Sequence, residues 1–173
     1  MEQHKVCSFF GHRDIDVNDN LKQCTKDCIE NLIINHDVYT FLFGSKSKFN
    51  DLCHLIISEL KEKYPNIKRI FYTCKSESCT LEIERKEKEK IYSQLLNKNI
   101  YLLGFEEEFE HKTKYQAGKA SYVERNMAMI NDRDFCVFYY NKNYVPLTKT
   151  NSGTKTAYEY ALRKNKNVFN VFK

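Results

Sequence analysis

Short runs of aromatic and β-branched residues recur along this chain, at 6–10, 38–43, 67–73, 100–103, 135–141 and 168–172. Between most of them lie stretches of about 12 to 18 residues with apolar positions at helical spacing. Strands that alternate with helices of this length need crossover connections. The pattern therefore predicts a three-layer α/β domain whose mostly parallel sheet is covered on both faces. About five to seven strands are expected, with 6–10, 39–43, 68–73, 135–140 and 168–172 inside the sheet. Helices are expected over 18–35 (Leu21, Cys24, Cys28 and Leu32 on one face), 49–64 (ended by Pro65), 81–97, 119–130 and 154–164. The acidic segment 106–111 reads as a solvated loop. A chain of 173 residues suits one domain, 1–173, with a sizeable core.

Composition narrows the function classes. No apolar run approaches the roughly 20 residues that span a bilayer, and the N-terminus lacks a signal-peptide pattern, so a cytoplasmic protein is expected. Seven cysteines, an odd number without a Cys-x-x-Cys pair or convincing histidine spacing, argue against a zinc site. The net charge of +5 is modest. Much of it sits in Arg85-Lys86-Glu87-Lys88-Glu89-Lys90, where both signs alternate as on a solvated helix face. A nucleic-acid stripe is not indicated, whereas an anionic small ligand is compatible with the charge.

The chemistry-bearing residues gather where strands end. The run Phe135-Cys136-Val137-Phe138-Tyr139-Tyr140-Asn141 is followed by Asn151-Ser152-Gly153-Thr154 and then by a helix with a basic last turn. Ser152 or Thr154 can cap that helix, and Gly153 admits a ligand close to the backbone. Free N–H groups at a helix start, past the carboxyl end of a strand, suit a phosphate without a metal. The same tripeptide also serves simply to start a helix. The first strand ends at Gly11-His12-Arg13-Asp14, where Arg13 can hold phosphate and His12 can donate to it or act as acid or base. Alternatively this is a polar turn in which Asp14 caps a helix or pairs with Arg13. Gly44-Ser45-Lys46 repeats the strand–glycine–helix logic, although it is neither a Gly-x-Gly-x-x-Gly nor a Walker sequence.

Taken in order, Gly11-His12-Arg13, Phe43-Gly44-Ser45, Arg125-Asn126 before an acidic-capped aromatic strand, and Ser152-Gly153-Thr154 resemble the SLOG superfamily, nearest its YpsA-like branch, over nearly the whole chain. The resemblance implies a Rossmann-like fold that binds nucleotides or ADP-ribose-type ligands and often pairs. The related LOG phosphoribohydrolases carry Pro-Gly-Gly-x-Gly-Thr-x-x-Glu. Here Gly153 and Thr154 match, but Lys149, Thr150 and Asn151 replace Pro-Gly-Gly, and Ala157 replaces the catalytic glutamate. Glu159 lies about 200° further around the helix and points elsewhere. Gly44-Ser45-Lys46 likewise replaces a glycine-richer loop. Phosphate binding survives these changes more easily than N-glycosidic hydrolysis.

Two classes of function follow. In the first, the protein binds a nucleotide-derived ligand and senses or sequesters it, as a phage- or mobile-element-encoded protein could do with a host signalling nucleotide. Ser152, Gly153 and Thr154 take a phosphate, Arg13 with Lys46 or Arg125 neutralises charge, and Tyr72 or Tyr140 stacks on the base. Gly11, His12, Gly44, Ser45, Asn126 and Asn141 complete that site. In the second, it cleaves a nucleotide or ribosyl bond with His12, Asp14, Glu124 or Glu159 as acid or base. Binding is the favoured reading, with no cofactor and no membrane or nucleic-acid partner.

Overall fold

The computed structural model describes residues 4–44, 47–74, 90, 104–114, 118–131, 133–147 and 152–173. Six strands form one parallel sheet: β1 Lys5–Gly11, β2 Val38–Phe43, β3 Lys68–Cys74, β4 Glu107–His111, β5 Phe135–Tyr139 and β6 Asn167–Asn170. Their order is β4-β3-β2-β1-β5-β6. Four helices flank the sheet among the described residues: α1 Asp19–His36, α2 Lys48–Lys63, α3 Lys119–Asn131 and α4 Gly153–Arg163.

The strands are too apolar for one face to be solvated. Successive side chains of a strand point to opposite faces, so neighbouring phenylalanines serve different cores. Phe9, Phe41 and Phe43 pack with Ile29 and Leu32 of α1 and Phe49, Cys53 and Ile57 of α2. Phe10, Leu42 and Phe138 pack on the other face with Met129 of α3 and Ala157 and Ala161 of α4. Alanines there let α4 lie close to the sheet. The result is the three-layer α/β arrangement that the alternation implies.

Helix boundaries follow local chemistry. Asn18 caps α1 by accepting from the Leu21 amide at 2.8 Å, and Asp37, at φ 58°, closes it in the left-handed region. Ser47 caps α2 through the Asn50 amide at 3.1 Å, and Pro65 follows its end.

One element differs from the sequence expectation. The segment read as an acidic loop is strand β4, paired with β3 from Ile70↔Glu107 to Cys74↔His111. Its backbone bonds to β3, and Phe109 packs on Tyr72 with ring centroids 4.7 Å apart, while the glutamates face solvent as edge-strand charges commonly do. The strand expected over 100–103 and the helix over 81–97 fall outside the described residues, save Lys90, which is helical.

Strand β1 has β2 on one side and β5 on the other. The chain order therefore reverses between β1 and β5, and in open α/β sheets that reversal opens a crevice beyond the carboxyl ends of the strands.

Candidate functional site

At the carboxyl end of β1 the backbone needs glycine for packing. A Cβ on Gly11 would lie 2.4 Å from Phe49 Cβ and 2.5 Å from its Cδ1. Gly11 thus lets α2 seat against β1, a role distinct from ligand approach. His12 follows, only 2% exposed. Its Nε2 accepts from the Asn141 amide at 3.0 Å, and its Nδ1 lies 3.4 Å from Ser152 Oγ. Burial holds the imidazole below its ordinary value.

Beyond β5, Asn141 organises a turn. Its side-chain oxygen accepts from the Asn143 amide at 2.9 Å and its carbonyl from the Tyr144 amide at 3.0 Å. The turn lays Tyr144 flat on His12, with centroids 3.9 Å apart and 17° between planes. Tyr140 stacks instead on Tyr158 of α4 at 4.6 Å, and both its backbone groups bond the Asn170 side chain.

Ser152 begins α4, its hydroxyl 3.5 Å from the Lys155 amide as the N-cap. Thr154 is buried, whereas among the described residues nothing beyond its chain neighbours and its own helix backbone lies within 4 Å of a Cβ built on Gly153. Among the described residues, space is therefore open beside the helix start at that residue. A dipole's positive end directed at such an opening favours an anion.

The β1 loop also reaches α2. The Lys48 amide donates to the Arg13 carbonyl at 3.0 Å, and the Lys48 ammonium pairs with Asp14. Arg13 extends an exposed side chain that forms no ion pair among the described residues. Gly44, at the end of β2, faces α3: a Cβ there would meet Met129 Sδ at 2.4 Å and Arg125 Nε at 3.3 Å. Arg125 is buried with its guanidinium 5.2 Å from the Tyr122 ring, and Asn126 Oδ1 is buried without a hydrogen-bond partner among the described residues. Ser45 and Lys46 fall outside the described residues.

The strand ends thus bring together Gly11, His12, Arg13, Asn141, Ser152, Gly153 and Thr154, with Gly44 and Arg125 beside each other at the end of β2. Tyr72 is committed elsewhere: it packs on Phe109, and its hydroxyl accepts from Arg133 at 3.1 Å. Each of the four acid–base candidates is engaged with a different partner. His12 is engaged at both nitrogens and Asp14 pairs with Lys48. Glu124 accepts from the Lys114 amide at 2.9 Å, and Glu159 lies 3.9 Å from Lys155 on an exposed face of α4. None of the four pairs with another among the described residues.

Sequence reasoning missed Tyr144, Ser47 and Asn50. Asn50 is buried, and its side-chain amide donates to the Phe9 carbonyl at 3.5 Å and to Ser47 Oγ at 3.1 Å. The signal for Tyr144 was the Asn141-Lys142-Asn143 turn chemistry just before it. Neither a scan of protein-family models nor a search of curated proteins finds a match to this chain.

Proposed function

We propose that the protein binds a nucleotide-derived ligand, ADP-ribose-like or a cyclic signalling nucleotide, in the crevice between β1 and β5, and acts as a cytoplasmic sensor or sequestering protein. The observation that carries this reading is the open start of α4 at Gly153, held at the strand-order reversal by the His12–Ser152 contact. Backbone N–H groups there take a phosphate, and the exposed Arg13 supplies the countercharge. His12, Asp14, Glu124 and Glu159 each have other partners and none pairs with another among the described residues, which favours binding over hydrolysis, because acid–base catalysis needs its groups free to reach one reacting bond. The family resemblance adds a homo-oligomer, which sedimentation of the pure protein checks.

Calorimetry with ADP-ribose and with cyclic nucleotides tests the site. Gly153→Val narrows the approach to the helix start, and the open space around it among the described residues predicts a folded variant. Its binding should be lost. Arg13→Ala should weaken binding by roughly 1.5–3 kcal/mol, about ten- to a hundredfold. Circular dichroism serves as the folding control. Wild-type binding that both folded variants retain in full would move the site elsewhere.

A further inference from the structure

We propose that His12 is a positioning residue: neutral and protonated on Nδ1, it locks the turn after β5 and the start of α4 into one arrangement without touching the ligand. The inference rests on the anion-site reading of the crevice, but its first test needs no ligand.

The amide of Asn141 donates to Nε2 at 3.0 Å, so that nitrogen must carry a lone pair. The single proton of a neutral ring is then on Nδ1, directed at Ser152 Oγ 3.4 Å away. The same hydroxyl caps α4. One side chain on the end of β1 thereby connects the β5 turn to the helix whose amides form the anion site. Tyr144 covers one face of the imidazole and the residue is 2% exposed, so neither nitrogen is offered to a ligand.

Protonation would undo one of these bonds. An imidazolium donates from both nitrogens and would set its Nε2–H against the Asn141 N–H. The titratable and charged side chains on the segments around it are Arg13, Asp14 and Asp16 of its own loop, Tyr139 at the end of β5, Tyr140, Lys142 and Tyr144 after it, and Lys155 and Tyr158 of α4; Lys48 of α2 is paired with Asp14. No carboxylate forms an ion pair with His12 among the described residues. The neutral-ring contacts are therefore fully present above the ordinary value of 6.5 and are lost as the pH falls through the lower folded value.

The first arm follows the free protein. Imidazole 15N chemical shifts at neutral pH should report the Nδ1–H tautomer for His12. The melting temperature should fall on acidification more in wild type than in His12→Gln, whose amide keeps a donor and an acceptor but does not titrate. Groups common to both proteins cancel in that difference. An Nε2–H or charged imidazole at neutral pH, or an equal acid loss in both proteins, would overturn the proposal.

The second arm titrates ADP-ribose. His12→Ala should bind about tenfold more weakly at neutral pH, and His12→Gln should recover most of that loss. Wild-type affinity should decline as the pH falls through the folded His12 value, which lies below the ordinary 6.5, while that of His12→Gln stays level. Wild-type affinity in both variants, with no pH difference, would overturn the positioning role. Should His12→Ala not fold, the His12→Gln comparison decides. Should wild type bind no nucleotide at all, the functional reading fails, and the tautomer and melting arm alone decides the role of His12.

Discussion

Glu106→Gln is expected to lower stability by about 2–3 kcal/mol, below the roughly 3–5 kcal/mol of a fully buried pair because the Glu106 side chain keeps 30% exposure. The carboxylate holds Arg69, which is 3% exposed. Its oxygens accept from Arg69 Nε at 3.1 Å, from Nη2 at 2.6 Å and from the Arg69 amide at 2.6 Å, with Lys61 a further 3.1 Å away. Removing the charge leaves a buried guanidinium facing an amide. Burial alone would push the Glu106 carboxyl up, but the Arg69 bonds and charge, then Lys61, hold it at about 2 against an ordinary 4.5. Since the folded value is the lower one, this contribution is present above 4.5 and is lost as the pH falls through about 2. Urea denaturation of wild type and variant at neutral pH and near pH 3 checks both parts. A gap between the two proteins that fails to narrow in acid would contradict the account.

Gly11→Ala is expected to cost about 3 kcal/mol, at the upper end of the overpacking range of roughly 1–3 kcal/mol. The new methyl would fall 2.4 Å from Phe49 Cβ, an atom fixed to the α2 backbone, so α2 itself must move off β1. The matched control is Gly153→Ala, where nothing lies within 4 Å among the described residues outside its own helix and chain neighbours, and stability should change by less than about 0.5 kcal/mol. Comparable losses at the two glycines, measured by urea denaturation, would mean that α2 does not pack on β1 as described.

Glycine was therefore legible at Gly11 as a special position but not as to its reason. A ligand approaching the backbone and a helix packing against it leave the same mark in a sequence, and Phe49 lies too far along the chain to distinguish them. The central strands were legible because β1, β2, β3 and β5 carry runs such as Phe9-Phe10 and Phe41-Leu42-Phe43 that only a doubly covered sheet can bury. Strand β4 was not: Glu107, Glu108 and Glu110 are exposed, and pairing with β3 rather than side-chain pattern makes that segment a strand. The aromatic face of Tyr72 offers a base platform in the sequence, whereas in the fold Arg133, distant in sequence, donates to its hydroxyl. The same limit hid the Arg69–Glu106 pair, whose members are 37 residues apart. His12 was recognised as a polar group at a strand end, but its two partners come from after β5 and before α4, which only the topology brings together.

The measurement closest to the central claim is residue-by-residue amide chemical-shift mapping of the protein during titration with ADP-ribose and with cyclic nucleotides. The account predicts that one of these ligands perturbs the amides of Arg13, Asn141 to Tyr144 and Gly153 to Lys155 together, and leaves Arg69 and Glu106 in place. Perturbations confined to the Arg69–Glu106 region, or none at saturating concentrations of every nucleotide, would contradict it.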